Sequence, residues 1–324
     1  MRRLMSADAE RRGAGLGPLD DRGPRSRARD PIRWKSYAKA LVATLFWGLS
    51  FVAVHIALEG LSPFGVVWMR SVLGALILLG VLRARGAALL PERGDRPRCL
   101  LLGAILGVHL LAQTAAQQWT TAARSGWIIA FIPVVVALLS AVFLGRRLRP
   151  SGWAGIAIAT AGVLALTAVP PEELARAGWG DLLMLSTCFM WASYTLLSYG
   201  PMQRSGPLST TAFSMGIAAL PSLAAAALEG TLALPPLGRS LAALVFLGVG
   251  ASAIATWAFN SAVLEIGPER AAAFQYLQPL VTLAGSAVLL DEPIGAALFQ
   301  AGPLVLLGVW LVQRSKLIPA VSAR

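Results

Sequence analysis

Ten apolar runs, almost free of charged side chains, constrain most strongly what this chain can fold into. Each approaches the roughly 20 residues that an α-helix needs to cross a hydrocarbon core. Arg70 lies inside the second run, and Asp181 opens the sixth. The runs are Ala40–Leu58, Phe64–Leu82, Leu100–Trp119, Ser125–Leu144, Gly152–Val169, Asp181–Leu197, Thr210–Leu228, Leu241–Asn260, Ala271–Leu290 and Gly295–Val312. They predict an all-α integral membrane protein with ten transmembrane helices.

The composition agrees with a chain whose solvent is the lipid bilayer. Hydrophobic residues make up 56% of the 324 residues and charged residues 14%. The strands of a membrane barrel would alternate over short segments, which these runs do not do. Glycine and proline inside the runs do not exclude helices, because neighbouring helices supply partners for the backbone groups that they free. We therefore expect a multi-pass protein of the cytoplasmic (inner) membrane.

The positions of the basic residues decide what the net charge of +12 means. Apart from Arg70, all of them except Arg124, Arg176 and Arg239 fall on connections that share one side of the predicted bundle. Such connections stay in the cytoplasm, so both termini are expected there. The sequence offers no folded basic domain that could present a nucleic acid surface, and no nucleic acid partner is predicted.

The regions outside the apolar runs carry little further chemistry. Residues 1–36 are rich in Arg, Asp, Gly and Pro, which predicts a disordered cytoplasmic tail, and their basic stretch is too long for a cleavable signal peptide. Residues 314–324 form a short cytoplasmic C-terminal tail. The two cysteines, Cys99 and Cys188, offer neither a disulfide framework nor a metal site, and no cofactor is predicted.

An internal repeat divides the apolar part into two halves. A shift of 146 residues aligns "ARSGWIIAFIPVVVALLSAVFLGRRL" with "ERAAAFQYLQPLVTLAGSAVLLDEPI" and pairs Pro133 with Pro279. A shift of 144 pairs Trp47 with Trp191. We expect two five-helix repeats, 37–169 and 170–313. Because five is odd, the second repeat enters the membrane inverted, and this explains why "GRRLRP" is basic where its counterpart "DEPIG" is acidic.

Several motifs make the chain resemble a known family. They are "FWGLSFV" (Phe46–Val52), "SPFGVVWMR" (Ser62–Arg70) and the paired segments "P…SAVFLG" and "P…SAVLLDE". The chain resembles the drug/metabolite transporter superfamily, EamA type, over roughly residues 40–312. The resemblance implies a ten-helix transporter of small metabolites or drugs. One departure is Gly145-Arg146-Arg147, where that family typically has Gly-Glu-Arg, so that the acid remains only at Glu292.

Two polar stripes are candidates for a transport pathway. The third helix carries His109, Gln113 and Gln117 at spacings of four, and the eighth carries Ser252, Thr256 and Asn260. Amides and imidazole are costly in lipid, so both stripes should face the protein interior or water. Hydrogen bonding between helices is the ordinary alternative, but two stripes on repeat-related helices favour a cavity.

Aromatic residues and a proline add a second group of candidates. The first helix carries Trp47, Phe51 and His55, and the sixth carries Trp191 and Tyr194, at spacings of three or four. Such rings usually serve packing, but tryptophans this deep lie away from the membrane interface where they commonly gather, which favours a pocket wall. Gln275, Tyr276 and Gln278 precede Pro279, which loosens the backbone and exposes carbonyl groups. Pro133 is the structural counterpart of Pro279.

Arg70 lies about 10 Å along the second helix from Pro63. An arginine there costs about 2.5 to 3.5 kcal/mol unless it is paired or hydrated. Its side chain snorkels outward, caps backbone carbonyls of a neighbouring helix, or attracts a carboxylate or phosphate group of a substrate.

The sequence thus favours a secondary transporter, not an enzyme, that moves a small metabolite by alternating access, with export the favoured direction. No ATP-binding loop occurs. Proton coupling through His55 or His109 and a homodimer both stay open. The alternatives are an intramembrane serine hydrolase, since "GASAIA" (Gly250–Ala255) is similar to a serine loop, and a structural membrane protein.

Overall fold

The computed structural model describes residues 31–119, 125, 128–143, 147–167, 178–232, 238–289, 297–315 and 317–318. The helices are α1 (Pro31–Leu58), α2 (Pro63–Ala84), α3 (Arg96–Ala116), α4 (Ile132–Phe143), α5 (Pro150–Thr167), α6 (Trp179–Ser205), α7 (Pro207–Leu228), α8 (Arg239–Ile266), α9 (Pro268–Leu289) and α10 (Ala297–Arg314). A 3₁₀ turn, Arg93–Asp95, precedes α3. Two short strands, β1 (Arg147–Leu148) and β2 (Leu317–Ile318), pair antiparallel.

Glycine and proline mark several helix boundaries. Pro63 opens α2, and the Ser62 hydroxyl accepts a hydrogen bond from the Gly65 amide at 3.2 Å, as a helix cap does. Gly206 and Gly267 precede the prolines that open α7 and α9 and have φ angles of 78° and 89°. Only glycine adopts such angles without strain, so these residues fix the turns at one end of the bundle.

The helices have the length and the surface of a membrane protein. Within the described residues, seven helices are long and apolar enough to cross a membrane, and Ile132–Phe143, Pro150–Leu164 and Gly302–Arg314 are shorter apolar helices. Large apolar side chains such as Leu76, Val142 and Phe189 are more than half exposed, as expected where lipid covers them. The prediction of an all-α membrane protein is confirmed, with β1 and β2 as a small addition.

The first helix begins inside the segment that the sequence assigns to the tail. The predicted tail, 1–36, overlaps α1, which is already helical from Pro31. Ser36 in this overlap is buried and donates a hydrogen bond to Glu265 in α8 at 2.6 Å, so tertiary contact extends the helix beyond the apolar run. Residues 1–30, and the oppositely charged turns with Gly145-Arg146 and Asp291-Glu292, lie outside the described residues.

Two of the helices change their winding, and both changes lie next to the largest cluster of buried side chains. In α8, Leu247–Ala255 is π-helical, between α-helical segments at Arg239–Phe246 and Thr256–Ile266. In α9, Phe274–Leu277 is a 3₁₀ turn. Pro279 follows that turn and has no N–H to give to the carbonyl four residues earlier. Pro133 is the second residue of α4, where a missing N–H costs little.

Candidate functional site

A cavity in the middle of the bundle is lined by residues from both halves of the chain. It holds about 520 Å³ of space that protein atoms do not fill, counting its open mouth. Helices α1, α2, α3, α6, α7, α8 and α9 each contribute at least one lining side chain. The cavity is therefore the candidate functional site.

Aromatic rings form one wall of this cavity. The Trp47 ring meets the Trp191 ring edge-on, with centroids 5.0 Å apart and planes at 86°. Behind this wall, in the surrounding core, Phe259 lies 5.0 Å from Trp47 and 5.6 Å from Trp191, and Tyr194 stacks on Trp191 at 5.3 Å. The Trp47 indole donates its N–H to the Ala251 carbonyl at 3.0 Å. With that donor occupied, Trp47 offers the cavity apolar ring surface.

Arg70 brings a cation to the cavity from α2. Its side chain is 4% exposed, and its Nε donates to the Ser252 hydroxyl of α8 at 3.0 Å. A Cβ on Gly74 would lie 2.8 Å from Ser252 Cβ, so the glycine allows α2 and the π-helical part of α8 to approach closely. The π-helix thus presents Ser252 to the arginine, as π-helical turns often do at functional sites.

Polar groups from α3, α8 and α9 complete the lining. His109 is buried, and its Nδ1 lies 3.1 Å from the Thr187 carbonyl. A carbonyl only accepts, so we assign the hydrogen to Nδ1. Gln113, Thr256, Gln275 and Gln278 also line the cavity. Three residues per turn in the 3₁₀ segment bring positions three apart to the same side, which explains why Gln275 and Gln278 face the cavity together.

Nine of the predicted site residues therefore line one cavity. They are Trp47, Phe51, Arg70, His109, Gln113, Trp191, Thr256, Gln275 and Gln278.

Five predicted site residues lie elsewhere, and helix geometry gives the reason. His55 is exposed near the end of α1, and Gln117 caps α3 with its Nε2 donating to the Gln113 carbonyl at 3.4 Å. A spacing of four residues advances about 40° beyond a full turn, and two such spacings advance about 80°. The stripes Trp47–Phe51–His55 and His109–Gln113–Gln117 therefore rotate away from the cavity by their third member.

Asn260, Tyr194 and Tyr276 form hydrogen bonds in the surrounding core instead. Asn260 Nδ2 donates to the Tyr194 hydroxyl at 2.9 Å and to Thr211 Oγ1 at 2.8 Å. The Tyr276 hydroxyl lies 2.8 Å from Thr160 Oγ1, in the cluster between α5 and α10. Tyr276 cannot point the same way as Gln275 because adjacent helical residues differ by 100° or more. In the structure these three residues tie helices together.

The sequence analysis also missed lining residues. Ser50 lines the cavity and donates its hydroxyl to the Trp47 carbonyl at 2.7 Å; its spacing of three from Trp47 could have indicated this. The aliphatic lining, which includes Leu106, Ile129 and Met215, has no signal that separates it from ordinary core. Ser252 accepts a hydrogen bond from Arg70, and among the described residues no hydrogen bond joins it to either histidine.

A second cavity lies at the end of the bundle where α6 and α8 end and α3, α7 and α9 begin, which we call the basic end. It holds about 1020 Å³ on the same measure. Lys39 and Glu265 form an ion pair at its wall. Arg204 Nε donates to buried Asp95 at 2.9 Å beside it. Charged side chains thus tie α1 to α8, and the 3₁₀ turn before α3 to α6, at this end.

Comparison with known proteins identifies the family. The model of the EamA-like transporter family matches residues 34–168 and, a second time, residues 178–314. The chain belongs to the EamA-like transporter family. It is a multi-pass membrane transporter of the drug/metabolite transporter superfamily, as the motifs predicted.

Individual relatives agree with this family membership. An uncharacterized inner membrane transporter of Escherichia coli (strain K12) is 27% identical over 277 residues, 82% of this chain and 84% of its own. A probable terminal-alkyne amino-acid exporter of Streptantibioticus cattleyicolor is 28% identical over 288 residues, 86% of this chain and 93% of its own. A crystal structure at 22% identity shares the fold with a TM-score of 0.72, over 86% of this chain and 96% of that one.

Proposed function

We propose that this EamA-family transporter exports a small metabolite, an amino acid or related organic solute or a drug, by alternating access at the central cavity. In this proposal its ten helices form two inverted five-helix repeats that rock about the cavity. The observation that carries the proposal is the pair Trp47 and Trp191. These repeat-equivalent residues touch each other in the cavity wall, and equivalent residues meet only near a two-fold axis.

Reciprocal contacts between α5 and α10 support the same two-fold relation. A Cβ on Gly162 would lie 2.9 Å from Val305 Cγ2, and a Cβ on Gly308 would lie 2.5 Å from Ala159 Cβ. The 146-residue shift converts Gly162 to Gly308 and Val305 to Ala159, so each contact is the image of the other. Contacts that exchange in this way are the mark of a two-fold interface.

Polar ties at the basic end supply one of the two gates in this proposal. Lys39 with Glu265, and Ser140 with Glu269, join the first half to the second. With the termini cytoplasmic, as the basic connections indicate, these ties face the cytoplasm. A solute that enters the cavity from the cytoplasm must pass while they are broken, and their re-formation closes the path behind it.

Cysteine accessibility tests the proposal. In a Cys99→Ala, Cys188→Ala background, Gln113→Cys should react with a small hydrophilic thiol reagent from either side of the membrane. Thr195→Cys is the matched control, since Thr195 is buried and bonded to the Trp191 carbonyl outside the cavity; it should not react.

A second arm separates alternating access from a passive pore. Lys39→Cys and Glu265→Cys, joined by a short bifunctional thiol reagent, hold the basic end closed. In this variant position 113 carries a photoreactive residue instead of a cysteine, because a cysteine there would also react with the bifunctional thiol reagent. The photoreactive residue reports whether a small hydrophilic reagent enters the cavity. Entry from the cytoplasm should stop while entry from outside continues. Loss of entry from both sides, or from neither, would contradict the proposed alternation.

A further inference from the structure

The described residues that line the central cavity include a cation but no anion. Among its described lining residues, Arg70 is the one with a permanent charge, and none carries a carboxylate. Arg70 also forms no ion pair with a described residue; its one hydrogen bond there uses Nε toward Ser252. The two Nη groups are left for another acceptor. A buried cation without a counter-ion is costly. An anion that enters the cavity would therefore bind favourably, because it would be the counter-ion that the described residues do not give to Arg70.

Gln275 adds a second, independent sign of a missing ligand. Its side chain is 1% exposed and lines the cavity, and neither Nε2 nor Oε1 has a partner within the described part of the chain. A buried polar group without a partner destabilises the folded chain. The amide of Gln275 is therefore able to form a hydrogen bond with an uncharged donor or acceptor group of a bound molecule.

The aromatic wall indicates a third property of the solute, an apolar group. Trp47 has its indole N–H occupied by Ala251, and the edge-to-face pair with Trp191 presents ring surface to the cavity. Such a surface gains free energy by covering an apolar group. No described lining residue offers a carboxylate to a second, cationic group of the same solute, so the charge of such a group would have no counter-ion among them.

We propose that the cavity selects small organic monoanions, carboxylates with an apolar body whose remaining polar groups are uncharged, over zwitterions and cations. This inference rests on the proposed function, because it assumes that the cavity is the substrate site, and it narrows the proposed solutes to those without a free ammonium group. Arg70 receives the carboxylate through its Nη groups, Gln275 bonds an uncharged polar group, and the tryptophan wall covers the apolar body.

A series of phenylalanine derivatives tests the selection by charge. N-Acetylphenylalanine is a monoanion, phenylalanine a zwitterion, phenylalaninamide a cation and N-acetylphenylalaninamide neutral, while the side chain stays the same. Binding to the purified full chain in detergent is measured as the rise in thermal unfolding temperature over a concentration series. The monoanion should bind at least about tenfold more tightly than the zwitterion, as expected for a hydrogen-bonded charge pair.

Variants assign the preference to its residues. Arg70→Gln should remove the preference for the monoanion, and Arg70→Lys should keep part of it because the charge remains. Thr195→Ala, outside the cavity, is the control and should keep the ranking. Gln275→Glu adds a carboxylate and should weaken the monoanion most, whereas Gln275→Leu should weaken both N-acetylated compounds without favouring one charge.

The outcomes separate this inference from the proposed function. Tighter binding of phenylalanine or phenylalaninamide, equal binding of all four, no binding of any, or a preference that survives in folded Arg70→Gln would overturn monoanion selection and leave the transporter assignment standing. An unreactive Gln113→Cys would remove the substrate cavity itself, and this inference with it. If Arg70→Gln does not fold, Gln275→Glu decides, since an unchanged ranking in that variant also overturns the selection.

Discussion

The close contact of α5 and α10 gives a prediction whose size follows from the structure. A Cβ on Gly308 would lie 2.5 Å from both Cβ and N of Ala159 and 2.6 Å from the Gly155 carbonyl oxygen, where ordinary contacts are 3.4 to 4 Å. Two of these three atoms are backbone and cannot swing aside. Gly308→Ala therefore forces the two helices apart by about 1 Å.

The expected cost is that of overpacking, about 1 to 3 kcal/mol. Gly80 in α2 is the control, because it is an exposed helical glycine with nothing within 4 Å of an added Cβ. Both substitutions gain the same helix propensity of about 1 kcal/mol. The difference in stability between Gly308→Ala and Gly80→Ala thus isolates the close approach of the helices.

The assay is thermal unfolding of the two purified variants and the parent chain in one detergent. Gly308→Ala should unfold well below the parent, and Gly80→Ala at or above it. Small residues at helix contacts are a general feature of membrane proteins, where packing and not water drives association. If both variants unfold at the same temperature, α5 and α10 do not approach as closely as described, and the reciprocal contacts lose their support.

Three further predictions address the core, the gate and the topology. Asn260→Leu removes the donor to Tyr194 and should lower the unfolding temperature by the equivalent of about 1 to 3 kcal/mol, whereas a surface-like change of less than about 0.5 kcal/mol would count against that bond. Glu265→Gln should weaken the tie at the basic end and speed cytoplasmic labelling of a cavity cysteine; an unchanged rate would contradict the gate. A cytoplasm-active reporter fused after Arg314 should be active and one fused after Gly295, outside the described residues, inactive; activity at Gly295 would contradict the inverted repeat.

Much of the fold could be predicted from the sequence because membrane helices are recognisable as long apolar runs. The cavity could be predicted in part for a related reason: a polar or charged side chain in lipid is costly, so Arg70, His109 and Gln113 had to face inward. Trp47 and Trp191 were a further indication of a pocket, because they occupy equivalent positions in the two repeats. Trp47, His109 and Gln113 line the cavity because each is the first or second member of its stripe, before the stripe rotates away.

The rest of the site could not be predicted from spacing alone. The stripe rule treats residues four apart as one face, yet the drift of about 40° per step carries His55, Gln117 and Asn260 away. No feature of the sequence "LGVGASAIA" (Leu247–Ala255) predicts the π-helix that it forms. The 3₁₀ turn before Pro279 likewise decides that Gln275 and Gln278, but not Tyr276, reach the cavity. Local winding thus sets which polar side chains meet a solute.

The bond between Arg70 and Ser252 connects the charge of the cavity to the movement of the halves. Arg70 belongs to the first half and Ser252 to the second, and they meet at 3.0 Å inside the site. If the halves rock as proposed, this bond changes together with the gates. A carboxylate on the Nη groups orients the guanidinium from within the cavity. A ligand moves a conformational equilibrium only through contacts that differ between the two states. Arg70 is the cavity's one permanently charged lining residue among those described, and it lies across the boundary where such a difference arises.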